Sequence, residues 1–152
     1  MTMLLGVLFF TGCSSSDDDF TDTVSPEIDQ SIPGAFPLSC SQVQRGETFT
    51  FKVRFTDNLE LGSYGIDIHN NFDHHNHDTE TGNCPMDPVK TPENPFVLIK
   101  NQSIPGGLKT YDAEMEIEVP ADVDPGDYHF MIKVTDKTGW QTVKGLSIKI
   151  LP

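Results

Sequence analysis

The sequence predicts an all-β fold, an antiparallel sandwich of about seven strands. Three observations carry that prediction: apolar residues alternate with polar ones at a period of two, turn residues separate the alternating runs, and no window sustains a helical period. In a chain of 152 residues, short strands with one apolar face each must bury those faces against one another. Two packed sheets achieve this.

The earliest strand is expected around Ile28 to Ile32. The clearest is Thr48 to Phe55, where Phe49, Phe51, Val53 and Phe55 alternate with Thr50, Lys52 and Arg54, so one face is buried. Asp57 and Asn58 turn the chain into Ser63 to His69, in which Tyr64, Ile66 and Ile68 alternate with Gly65, Asp67 and His69. Strand patterns resume at Phe96 to Ile99 and at Lys109 to Val119. In the second of these, Met115, Ile117 and Val119 share one face and Glu114, Glu116 and Glu118 the other. The last two strands, Asp127 to Thr135 and Gln141 to Leu151, meet at Asp136-Lys137-Thr138-Gly139, a tight hairpin turn.

One string sharpens the topology. Asp124-Pro125-Gly126-Asp127-Tyr128-His129-Phe130 resembles the D-x-G-x-Y-x-C string that opens the penultimate strand of immunoglobulin domains, where the Tyr hydroxyl bonds back to the backbone. The resemblance implies an immunoglobulin-like sandwich. Phe130 stands where such domains carry a cysteine, which replaces an inter-sheet disulfide with an apolar side chain.

Residues 1–12 are mostly apolar and uncharged and lead through Phe10-Thr11-Gly12 to Cys13, after which Ser14-Ser15-Ser16-Asp17-Asp18-Asp19 follows. This resembles a bacterial lipoprotein signal. The resemblance implies removal of residues 1–12 and acylation of Cys13, which would seat the chain on a lipid bilayer. Met1-Thr2-Met3 departs from the pattern by lacking a basic residue, which a start codon slightly upstream would supply. Twelve residues fall short of the roughly 20 that span a bilayer. Residues 13–25 are expected to be the acylated Cys and a disordered acidic tether, and residues 26–152 the folded domain. The acidic run also resembles the signal that exports Bacteroidetes lipoproteins to the outer face of the outer membrane; a plain spacer would leave the protein on the periplasmic face.

A net charge of −13 and a pI near 4.5 argue against nucleic acid as a partner, because phosphates need clustered Lys and Arg. Such a surface enriches cations instead. Beyond Cys13, the remaining pair Cys40 and Cys84 most simply forms a disulfide outside the cytoplasm, with metal ligation by the two thiolates as the alternative.

Four of the five histidines, His69, His74, His75 and His77, fall within nine residues at the start of a long polar loop, residues 70–95. Imidazole suits borderline metals such as zinc and copper. In an immunoglobulin-type sandwich the third and sixth strands are antiparallel neighbours, so His69, closing one, and His129, opening the other, lie at the same sheet end. Parity turns both outward, since Ile68 and Phe130 face the core. His75 and His77, on one side of an extended segment, are expected to complete four ligands, with His74 pointing away. Asp73 or Asp67 would serve as an oxygen ligand or as the acceptor that fixes an imidazole tautomer. The plain alternative is a solvated, His-rich loop.

His69-Asn70-Asn71-Phe72-Asp73, then His75-x-His77, behind Asp57-Asn58-x-x-Leu61-x-Ser63-Tyr64, resembles an uncharacterised family of Bacteroidetes lipoproteins carried as a domain of unknown function. That resemblance implies an envelope lipoprotein with a β-sandwich and no established activity. His74 stands where the family carries a small residue.

The reading is therefore a lipid-anchored binding module of the cell envelope that holds zinc or copper. A different reading is an adhesion or accessory module of a glycan or protein uptake system, in which the long loop contacts a macromolecule and the histidines are incidental; Trp140 would serve such a contact or pack the hairpin. A third places calcium on Asp57 and Asp136 at the opposite end, or on Asp122, Asp124 and Asp127. An enzyme is not expected, because no nucleophile with a positioned base and no paired-carboxylate cleft can be named.

Overall fold

The computed structural model describes residues 21–76 and 84–152; Cys13 and His77 lie outside them. Eight strands form: β1 (Glu27–Asp29), β2 (Ser41–Gln44), β3 (Thr48–Thr56), β4 (Leu61–Asn70), β5 (Leu98–Ser103), β6 (Thr110–Glu118), β7 (Gly126–Asp136) and β8 (Gln141–Leu151). They make a three-stranded sheet, β1-β3-β6, and a five-stranded sheet, β2-β8-β7-β4-β5. This is an immunoglobulin-like sandwich.

The strand the sequence did not announce is β2, which runs parallel to β8 and is the exception to an otherwise antiparallel pairing. Four residues with only Val43 buried carry too short an alternation to be read. The fifth strand also starts later than expected. Phe96 is instead a loop residue, 7% exposed, tucked into the core ahead of the strand. A third correction concerns the expected tether: Asp22 is buried, its Oδ1 accepting from Val24 N and Asn58 Nδ2 and its carbonyl from Trp140 Nε1. The ordered domain therefore begins before residue 26.

Parity organises the core. Phe51, Val53 and Phe55 of β3 face Tyr64, Ile66 and Ile68 of β4 and Tyr128, Phe130 and Ile132 of β7, all of them buried. Phe130 stacks on Phe51 of the opposite sheet with ring centroids 5.7 Å apart, so an aromatic pair joins the sheets where related domains use sulfur. On the outer face of the smaller sheet, register sets opposite charges across from one another: Lys52 faces Glu114 and Arg54 faces Asp112. Arg54 donates two hydrogen bonds to Asp112, of 2.6 and 2.8 Å, which hold that carboxyl below its ordinary pKa. Such exposed pairs contribute little energy but disfavour a slipped register.

The tyrosine corner is present. Tyr128 donates its hydroxyl to Asp124 O at 2.6 Å and accepts from Phe96 N at 3.1 Å, and burial pushes its pKa up to about 12. One side chain thereby ties the β6–β7 connection and the end of the long loop to the penultimate strand. Cys40 and Cys84 are joined by a disulfide, which removes both sulfurs from the list of metal ligands.

Two stability changes follow. Phe130→Ala should cost about 3–5 kcal/mol in urea denaturation, because it removes the inter-sheet ring and leaves a cavity; a loss under 1 kcal/mol would show the pair to be dispensable. Replacing Cys40 and Cys84 together by Ala should cost about 4 kcal/mol, the chain entropy returned to a loop of 44 residues.

Candidate metal centre

The β4–β7 ladder pairs His69 directly with His129, flanked by Ile68↔Phe130 and Asn70↔Tyr128. Since Ile68, Phe130 and Tyr128 point into the core, both imidazoles leave the sheet on its outer face. His129 is nevertheless fully buried and His69 only partly exposed. The loop covers them.

Its path explains how. Asn71 N extends the ladder by one bond to Asp127 O, 2.8 Å, and Phe72 then turns inward, 3% exposed, its ring edge-on to Tyr128 at 5.2 Å. Beyond that plug His74, at a φ of 59°, reverses the chain, and His75 returns over the outer face. A left-handed backbone is uncommon for a residue with a Cβ. Lys90 closes the loop from above, its ammonium 4.1 Å from the centroid of Phe72 and its N–H on Phe72 O.

Three rings meet here, the exposed His75 lying over the other two. The centroids of His75 and His129 are 4.6 Å apart, those of His69 and His129 5.2 Å, and those of His69 and His75 5.7 Å. Each residue brings a ligand nitrogen within 4.8 Å of the other two. Three imidazoles on one tetrahedral ion, with metal–nitrogen bonds of about 2.0–2.1 Å, have centroids roughly 5 Å apart. The observed spacing brackets that value.

Two carboxylates orient the rings. Asp67 Oδ1 lies 2.7 Å from His69 Nδ1, and Asp73 Oδ1 lies 2.6 Å from His75 Nδ1. Both pairs are two residues apart, a spacing that in β4 puts Asp67 on the same face as His69. A ring that donates Nδ1–H to a carboxylate keeps its Nε2 lone pair for a cation. The bond from the His75 ring, with help from backbone N–H groups, holds the Asp73 carboxyl below its ordinary pKa.

His74 goes elsewhere: its Nε2 lies 2.9 Å from Asp87 O, on the returning limb of the loop. That limb is itself fastened beside the site. Cys40 N bonds Ser147 O, the cross-strand neighbour of His129, so the Cys40–Cys84 bridge anchors the loop next to the buried imidazole. Asp127 Oδ2 accepts from Asp87 N, and Lys149 Nζ pairs with both Asp87 and Asp127. Asp124 Oδ2 accepts from Glu93 N and Asn94 N. Asp122, Asp124 and Asp127 thus form no ligand cluster among the described residues. Trp140 sits at the opposite end of the sandwich with its indole N–H on Asp22 O. A shallow groove leads away from His69 along the outer face, lined by Asp67, Ile99, Met131, Lys133 and Val143.

A comparison with curated proteins finds none that matches. Among solved structures the chain is similar to a GspB Siglec domain, with 24% identity over 86% of this chain and a TM-score of 0.45; it spans 59% of that chain's length. The sequence itself is more informative, because residues 11–151 match the family described as Domain of unknown function (DUF4625). On that match, over nearly its whole length, the chain belongs to the DUF4625 family.

Proposed function

We propose that the protein is a binding module of the cell envelope that captures zinc or copper through His69, His75 and His129, with His77 supplying a fourth ligand from the adjoining loop. The observation that carries this reading is the triangle of rings at tetrahedral spacing, two of them backed by carboxylates. A merely solvated loop has no cause to fold an imidazole over two others, or to bury one of them completely. Three nitrogen ligands also select the metal class, since calcium and magnesium prefer oxygen. Asp67 and Asp73 are engaged in orienting ligands, which serves affinity rather than acid–base chemistry. We further propose that Cys13 carries lipid, as the string Phe10-Thr11-Gly12-Cys13 and the polar run behind it support, and that the domain is displayed on the outer membrane surface of a Bacteroidetes cell.

The second reading, a surface module that docks a protein or glycan, draws on the groove beside His69. Ile99 is 67% exposed and Val143 38% exposed there. Apolar side chains on an outer sheet face are a contact surface in waiting. Binding of a partner that is unaffected by chelator would favour this reading over the metal.

In isothermal titration the wild type should bind one equivalent of zinc or copper, and affinity should fall on acidification because protons compete for the same ring nitrogens. His129→Ala should lower affinity at least a hundredfold although it lies far along the chain from the other ligands. Asp73→Asn should lower it roughly 10–100-fold through the loosened His75 ring. Undiminished binding by His129→Ala would assign the metal to the loop alone, and absence of binding by the wild type would abandon the site. Labelling of cells with a fatty-acid analogue should mark the wild type and not Cys13→Ala; equal labelling would refute lipidation.

A further inference from the structure

At the other end of the sandwich three carboxylates from separate parts of the chain converge. Asp22 comes from the segment before β1, Asp57 from the β3–β4 turn and Asp136 from the end of β7, and each brings an oxygen within 4.8 Å of the other two. Asp22 and Asp136 are each only 4% exposed.

Each carboxylate spends one oxygen on its own turn. Asp22 Oδ1 accepts from Val24 N at 3.0 Å and from Asn58 Nδ2 at 3.0 Å. Asp57 Oδ2 accepts from Leu59 N and Glu60 N at 2.7 and 2.8 Å. Asp136 Oδ1 accepts from Thr138 N, Gly139 N and Trp140 N, at 2.9, 2.6 and 2.8 Å. These bonds hold the groups rigidly in place. The second oxygens are different. Asp22 Oδ2 and Asp57 Oδ1 are buried and have no hydrogen-bond partner among the described residues, and Asp136 Oδ2 meets only the Thr138 hydroxyl.

A buried carboxylate oxygen without a protein donor is costly, and three like charges this close compound the cost. No Lys, Arg or His forms an ion pair with any of the three among the described residues. Lys109, nearby, sets its ammonium on Asn58 O instead, and Lys137 pairs with Glu60. Among the described residues no cationic side chain meets these oxygens, and the donors they offer are all hard oxygens.

We infer that Asp22, Asp57 and Asp136 form a second cation site, specific for calcium, that clamps the incoming N-terminal segment to the β3–β4 turn and the β7–β8 hairpin. Oxygen donors exclude the metals that the imidazoles favour. Calcium tolerates an irregular set of carboxylates completed by carbonyls and water, whereas magnesium requires a strict octahedron and keeps its waters. The proposal is independent of the histidine site.

The test is calcium chloride added to the purified, chelator-stripped protein. Melting temperature should rise by roughly 5 °C or more at millimolar calcium. The rise should disappear in Asp22→Asn and Asp57→Asn, which keep an acceptor for each turn, and persist in His129→Ala. A spectroscopic readout covers the case of a variant that folds poorly. Trp140 is the only tryptophan and its indole nitrogen lies 2.9 Å from Asp22 O, so it should sensitise terbium luminescence in the wild type, with excess calcium extinguishing the signal. No thermal shift together with no sensitised emission would overturn the inference. So would equal calcium responses in both Asn variants, or a response lost only in His129→Ala.

Discussion

In the ladder between β4 and β7, the facing of each side chain is dictated by its count along the strand from the buried pair Ile66 and Ile132. Everything at either end of the sandwich inherits that count. Three residues along β4 from Ile66 the rule puts His69 outside, beside His129. In the other direction the same ladder runs to Leu61 opposite Asp136, with an irregularity between Leu61 and Ser63. A register slip of one residue in either strand would send that strand's imidazole into an aromatic core, so hydrophobic burial of Ile66, Ile68, Phe130 and Ile132 is what keeps the two histidines side by side on the outer face.

The ladder alone does not gather three rings; the loop must be held. Phe72 supplies the holding force by burying its ring against Tyr128, the residue that also closes the tyrosine corner and receives Phe96 N. Both ends of the loop are thus fastened to one aromatic side chain. The disulfide adds a third point beside Ser147. Ordering a segment this polar is opposed by chain entropy, and these three attachments are what offset it.

Much of this was legible in the sequence, and for identifiable reasons. Alternation in Thr48 to Phe55 and in Tyr64 to Ile68 is long enough to fix a buried face, and Asp124 to Tyr128 announces its corner, so the strand neighbours and the outward facing of His69 and His129 could be deduced. The cover over His129 could not. It depends on Phe72 turning inward and on His74 adopting a left-handed backbone, neither of which has a periodic signature. Strand β2 was hidden by its shortness. Asp22 was hidden by company, because an Asp in a Ser/Asp-rich run reads as solvated until a tertiary partner such as Asn58 or Trp140 is known.

The chain enters the domain at Asp22, against the β3–β4 turn and the β7–β8 hairpin, while the imidazoles lie at the opposite tip. Eight steps along β4 lead from Leu61 to His69, a standoff of roughly 27 Å at the rise of an extended strand. That distance is several times the screening length of about 8 Å at physiological ionic strength. Charge near Asp22 is therefore attenuated before it reaches the rings, and the tip responds to the ions of the medium around it rather than to those at the entry of the chain.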